Sequence, residues 1–352
     1  MQTQQNRYEC LDLLRGISAF GVMTFHLSIL GVSAARHGYL AVDLFFILSG
    51  FVLAHAYSDR LSSIGFGAFV KLRLIRIMPL SIFGLLLGTA YFVLRNITQP
   101  QSLYSLVDIA SGTVFNIFLL PKPWTSVALT DTTFPTNTPL WSLSLELITN
   151  FVWAYGLFRA KTAVLAVITV FSAALLLFFI LQHGNADIGA TWGTYLGGVS
   201  RVTFGFFAGV LIWRFRPTQN WPAWTALFAA SALIGVMLID NSGPIFDFFV
   251  VIFVFPVIVT MASATNVGNG NYLLRVIGDI SYPLYVVHVP IFMTVAGLSK
   301  LLQIGDQTYL AAVSVFLTVV VAVAVDRIYD RPLRRAMNRM TASHGAKLYK
   351  QA

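Results

Sequence analysis

The segment TAVLAVITVFSAALLLFFILQ, residues 162–182, carries no charged side chain. Wound as a helix rising 1.5 Å per residue it measures about 31 Å, which matches the hydrocarbon core of a bilayer. Comparable apolar stretches lie at 13–33, 39–57, 75–94, 140–158, 194–213, 221–239, 245–264, 277–298 and 309–327. Together they predict an all-α membrane protein with about ten transmembrane helices. A membrane barrel is excluded because its strands read as alternating segments of about ten residues, far shorter than these runs. Composition agrees: the 352 residues are 57% hydrophobic and 11% charged, which a water-soluble domain of this size does not tolerate.

Charge orients the spans. With both termini cytoplasmic, only Arg36, Arg95, Lys122 and Lys300 of the 23 Lys and Arg residues face outward, and Arg201 lies within a helix. The remainder face inward, as the positive-inside rule requires. Residues 102–120 resemble an eleventh crossing, but counting them would move the basic tail outside, so they read as an interfacial or re-entrant segment. They belong to a long external connection between the third and fourth helices, 95–139. The domain reading is a membrane-embedded unit over 1–330 followed by a basic cytoplasmic tail over 331–352, which serves orientation and lipid contact. The net charge of +9 is dispersed between apolar runs, so no nucleic-acid partner is expected. The single cysteine, Cys10, forms no intramolecular disulfide, and no metal cluster is expected. No cleavable signal segment is expected after the first apolar run.

Ionisable residues inside spans cost several kcal/mol unless they are paired or line a cavity. The stretch LDLLRGISAFGVMTFH, 11–26, carries two. Arg15 and His26 are eleven residues apart, which places them on nearly one helix face about 16 Å apart along the axis. Asp12 is spaced to pair with Arg15. In the fourth helix, PLWSLSLE carries Trp141, Ser142 and Glu146. Glu146 falls at a depth close to that of His26, so its carboxylate is expected to orient the imidazole or stabilise its protonated form. The ninth helix, SYPLYVVHVP, adds Tyr285 and His288 between Pro283 and Pro290, which free backbone carbonyls. VDLFFILSGF places Asp43 near the outer entrance of the second helix and Ser49 and Gly50 in mid-membrane. The small-residue patterns GLLLG (84–88) and GFFAG (205–209) read as packing. Lys71, Arg73 and Arg76 in KLRLIRIMP stand at the mouth of the third helix and can hold phosphate groups. With Arg15 they form a cationic ring at the inner end of the helix that carries His26.

Five motifs follow one another: Arg15 and His26 separated by ten residues, FFILSG (45–50), RLIR (73–76), WSLSLE (141–146) and SYPLYVVH (281–288). In this order they closely resemble the acyltransferase-3 family of integral-membrane O-acyltransferases, over about residues 8–330. The resemblance implies a bacterial-type inner-membrane enzyme that moves a short acyl group, commonly acetyl, from coenzyme A to a sugar hydroxyl. The acceptor would be a polysaccharide, a lipid-linked glycan or a related molecule. The soluble esterase-like domain that some members carry at the C-terminus does not occur within these residues, so a separate protein is expected to meet any need for it.

On that basis acyl-CoA is expected as a co-substrate with no tightly bound cofactor. Arg15, Lys71, Arg73 and Arg76 would bind the donor, His26 would be the catalytic base, and Glu146 would steady the imidazolium. Asp12, Asp43, Ser49, Trp141, Ser142, Tyr285 and His288 would line the site. Direct transfer and an acyl-histidine relay both remain compatible with the residues, as does a succinyl or longer donor. A flippase or exporter of a polar lipid or solute would instead move its cargo without coenzyme A; a scaffold would need no aligned Arg15 and His26.

Overall fold

The computed structural model describes residues 8–98, 105–123, 131–240, 243–265 and 272–349, with side chains described to residue 340. Arg7, Lys347 and Lys350, which enter the charge argument, lie outside these descriptions, as do 99–104 and 124–130 of the external connection. Every one of the ten apolar stretches contains a helix: α1 (Glu9–Phe25), α2 (Ala41–Tyr57), α3 (Phe66–Thr98), α5 (Leu140–Tyr155), α6 (Thr162–His183), α7 (Tyr195–Phe215), α8 (Trp224–Leu238), α9 (Pro244–Ala264), α10 (Tyr272–Leu301) and α11 (Gln307–Val325). The segment α4 (Leu106–Ile117) lies between α3 and α5, and α12 (Arg331–Tyr349) follows α11. No β-strand occurs among the described residues, only the isolated bridges Thr132 to Thr191 and Trp221 to Thr265.

Eight helices are long and apolar enough to cross a bilayer. The other two of the ten stretches are shorter than the spacing suggests. α5 has 16 residues, about 24 Å, bounded by Pro139 and Gly156, and α8 has 15, about 22 Å, opening just after Pro222. α4 has 12 residues, about 18 Å, which falls short of a crossing. Its Ser105 cap accepts from the Asp108 amide at 3.0 Å, satisfying an amide that the first turn leaves open.

Two boundaries shift in ways that matter for the site. α1 ends at Phe25 and continues as a tighter 3-10 turn, His26–Leu30, so His26 stands at a change of helix type rather than within a straight span. α3 begins at Phe66, nine residues before the expected 75, so Lys71, Arg73 and Arg76 lie within its first three turns and not at its mouth. The 33 residues of α3 rise about 50 Å, well beyond the apolar core.

Packing follows from small residues at crossings. A Cβ on Gly50 of α2 would lie 1.9 Å from the Phe206 carbonyl oxygen of α7, and one on Gly209 would lie 2.0 Å from that of Ile47. The two backbones therefore touch, and the expected packing role of Gly50 and of GFFAG holds. α1 lies along α10, where Gly278 faces Asp12. α10 also meets α3, where Gly84 faces Val286. Pro290 leaves the Val286 carbonyl without its helical donor, and the Asn137 side-chain amide donates to it at 3.0 Å. α1, α2, α3, α5 and α10 thus enclose a cleft.

α11 runs through a π-type turn, Asp326–Asp330, into α12, which packs on α3. The boundary drawn at 330 falls within this continuous helical run.

Candidate active site

Three helices converge on one carboxylate. Ser49 Oγ of α2 donates to Glu146 Oε1 of α5 at 2.7 Å, and Arg73 Nη2 of α3 donates to the same oxygen at 3.3 Å. Asn150 sits one turn after Glu146; with its amide oxygen facing the guanidinium it accepts from Arg73 Nε at 3.3 Å and Nη2 at 3.0 Å. The expected partnership of Glu146 with His26 is not made. Arg73 lies within α3 and not before its start, as a start at 75 would place it, and a mostly buried guanidinium is the stronger claimant for a mostly buried carboxylate.

Ser49, Arg73 and Glu146 line a cavity of about 210 Å3 together with Arg15, Arg76, Ser142 and Tyr285, while Asn150 backs Arg73 from outside the lining. Its lining on α2 runs from Val42 to Leu53, about 16 Å of helix. Arg73 and Arg76, three apart, share a face of α3. Lys71 is two residues and about 200° from Arg73, and it points to the exposed side, outside the lining.

The two histidines meet. His26 Nδ1 is 3.2 Å from His288 Nε2 and 2.9 Å from the Val22 carbonyl oxygen, while His288 Nδ1 is 3.2 Å from the Leu284 carbonyl oxygen. A carbonyl only accepts, so both Nδ1 atoms carry protons in the neutral pair. His288 Nε2 then bears a lone pair and accepts a share of the His26 Nδ1 proton. This leaves Nε2 of half-buried His26 unprotonated and available as a base. His288 itself is fully buried. The exposed Asp187, in the loop between α6 and α7, is an electrostatic neighbour of His26. Nothing in its spacing from other residues marks it in the sequence.

The pair stands one helical turn beyond the cavity and is not part of its lining. Tyr285 bridges the two: its ring lies 5.9 Å from that of His288 and 5.7 Å from Phe45, and its hydroxyl is 2.7 Å from Ser142 Oγ. Tyr285 and His288 reach the cleft because three residues of helix separate them.

Several candidates serve the frame instead. Asp43 accepts from Arg201 Nε at 3.0 Å and Nη2 at 2.7 Å, both side chains being almost wholly buried, so it supplies the counter-charge for the arginine that lies within a helix. Trp141 stacks on that guanidinium at 5.4 Å. Neither Asp43 nor Trp141 lines the cavity. Asp12 is buried and lies 3.6 Å from Arg15, which alone of the two faces the cavity. Among the described residues no group of three or more His, Cys, Asp or Glu side chains is placed to hold a metal.

A bundle of apolar helices enclosing a basic cleft and a pair of histidines, one of them fully buried, defines an integral, multi-pass membrane protein with an internal polar site. Residues 8–327 match the family model described as an acyltransferase domain, so the chain belongs to the acyltransferase-3 family and is an acyltransferase by class. It is 36% identical over 185 residues to "Protein 2 in picA locus" of Rhizobium radiobacter, covering 50% of this chain and 96% of that protein. It is 25% identical over 218 residues to "Putative peptidoglycan O-acetyltransferase YrhL" of Bacillus subtilis, covering 55% of this chain and 32% of that protein. No solved structure matches.

Proposed function

We propose that this protein transfers an acyl group, specifically acetyl, from acyl-CoA to a hydroxyl of a sugar on a cell-envelope glycan or glycolipid. It would do so in a bacterial inner membrane with both termini in the cytoplasm. The observation that carries the chemistry is the bond between His26 Nδ1 and His288 Nε2, which leaves His26 Nε2 as a base. Family membership and the O-acetyltransferase name of the Bacillus relative support the reaction class.

In this scheme Arg15, Arg73 and Arg76 receive the phosphates of the donor from the cytoplasmic side. The pantetheine arm follows the cleft, and the thioester reaches His26 when the Phe45 and Tyr285 rings yield. The acceptor hydroxyl gives its proton to His26 Nε2 as its oxygen attacks the thioester carbonyl; the new C–O bond forms and the C–S bond breaks. The departing thiolate takes the proton back from the imidazolium, whose Nδ1–H stays bonded to Val22 and His288 throughout. Glu146 holds Arg73 in the cleft wall and does not act on the imidazole.

The test is His26→Ala in the full chain, with the surface glycan analysed by mass spectrometry and transfer followed from labelled acetyl-CoA in membrane vesicles. The acetyl mass should vanish from the glycan while the protein stays inserted. Retained transfer refutes the role of His26, and transfer of succinyl in place of acetyl corrects the donor.

A further inference from the structure

A second cavity adjoins the first. This chamber, about 510 Å3, shares Val52, Leu53, Arg73 and Arg76 with the cleft; α2 and α3 add Ala56, Tyr57, Leu72 and Ile75, and α12 closes the other side with Arg331, Arg334, Arg335 and Asn338. Those four occupy positions i, i+3, i+4 and i+7, which fall within about 100° of one helix face. A tail that served only to set orientation would have no reason to gather its cations on one stripe, or to aim the stripe into a cavity.

The charges of the chamber divide into two kinds. Arg331 is held by Asp326 at 2.6 Å and Asp279 at 3.1 Å, and Arg334 is held by Asp330. These pairs fix α12 against α10 and against the end of α11. Arg76 lies over the Tyr282 ring at 5.8 Å, and among the described residues neither Arg76 nor exposed Arg335 has a carboxylate within ion-pair distance. A cavity of this volume, where Arg76 and Arg335 stand outside the ion pairs that hold Arg73, Arg331 and Arg334 and an Asn amide edges the wall, suits a phosphomonoester or diphosphate.

We infer that the C-terminal helix completes the donor site, with Arg335 and Asn338, opposite Arg76, binding the phosphates of the nucleotide end of acyl-CoA. This rests on the acyl-CoA reading above. It divides the donor between the two cavities: the nucleotide end lies in the outer chamber beneath α12, the acyl arm in the inner cleft beside Glu146 and Tyr285, and Arg73 and Arg76, which line both, meet the phosphates between them, with Arg15 on the cleft side. α12 is then a wall of the binding site and not a tether to the lipid surface.

The experiment uses the full-length protein in lipid nanodiscs, titrated with coenzyme A, with 3'-dephospho-coenzyme A and with pantetheine, which carries no phosphate. Arg335→Ala should weaken coenzyme A about tenfold and leave pantetheine unchanged, and Arg335→Lys should recover part of the loss. Asn338→Ala should follow in the same direction with a smaller change. Arg339→Ala, which removes a cation of the same helix outside the chamber lining, should leave coenzyme A binding as it was. Unchanged coenzyme A affinity in Arg335→Ala overturns the assignment, as does an equal loss in Arg339→Ala, which would mean diffuse surface charge. A parallel series compares discs of phosphatidylcholine with discs containing phosphatidylglycerol. Loss of anionic-lipid retention in Arg335→Ala, with coenzyme A affinity intact, gives the chamber to a lipid headgroup and overturns the assignment too. Failure of the unaltered protein to bind coenzyme A refutes the donor reading itself, an outcome distinct from an unaltered protein that binds while the variant shows no change.

Discussion

Replacing His288 isolates the part of the proposed chemistry that the structure introduces. His288 is fully buried and its only role toward His26 is to present a lone pair, Nε2, 3.2 Å from Nδ1. When His26 takes the acceptor proton, that contact becomes a hydrogen bond from an imidazolium. Hydrogen bonds to charged groups are worth about 1.5–3 kcal/mol, and the bond is shared with the Val22 carbonyl, so the lower half of that range applies. His288→Leu removes the acceptor while keeping an apolar side chain in an apolar site. Its turnover should fall about 10- to 40-fold, since each 1.36 kcal/mol is tenfold in rate. His288→Gln, whose amide oxygen can reach toward the position of Nε2, should recover part of the loss. The donor KM should hardly change in either variant, because His288 does not line the cavity. The assay is thiol release from acetyl-CoA by membrane vesicles containing equal amounts of inserted protein. Turnover of His288→Leu within twofold of the unaltered protein refutes the reasoning, and so does His288→Gln performing no better than Leu.

Two further outcomes distinguish site from frame. Arg73→Ala should raise the donor KM at least tenfold, whereas Lys71→Ala, on the opposite face of α3, should leave it unchanged in the same vesicle assay; equal effects would mean that helix register is irrelevant. Asp43→Asn leaves Arg201 buried with a neutral partner, so thermal unfolding of the detergent-solubilised protein should register a loss of about 3–5 kcal/mol; an unfolding midpoint equal to that of the unaltered protein would remove Asp43 from the frame.

The residue types at the centre are legible in the sequence; their partners are only partly so. The hydrophobic period locates helices in all ten stretches, because lipid leaves the backbone no alternative to helix. Spacing places Arg15 beside Asp12 and sets Arg73 and Arg76 on one face. The start of α3 is missed because GFGAFVKLR has two glycines and two cations, which mask a helix that projects beyond the apolar core. That error moves the cations outward on paper and leaves Glu146 free to be matched with His26. Pairings such as Asp43 with Arg201, 158 positions apart, and His26 with His288, 262 apart, depend on which helices become neighbours, and one chain read alone carries no record of that. The stripe on α12, by contrast, is written in the sequence at i, i+3, i+4 and i+7 and is masked only by the expectation that a basic tail faces lipid.

The exchange of partners bears on why Glu146 does not bond to the base, which has the exposed Asp187 as an electrostatic neighbour and no carboxylate hydrogen-bonded to it among the described residues. In the proposed transfer His26 must take a proton and then surrender it to the leaving thiolate. A carboxylate beside the imidazolium in a water-poor interior would stabilise the charged form strongly, since the same pair interacts several times more strongly there than in water. It would favour the first proton movement and oppose the second. A neutral imidazole acceptor gives a smaller, more even stabilisation, enough to orient the ring without trapping the proton. Glu146 meanwhile gains from Arg73 the full counter-charge that its own burial demands, and fixes that guanidinium in the cleft wall. The two ionisable centres are thus separated by function and by about one turn of α10, with Tyr285 in contact with the cavity on one side and His288 on the other.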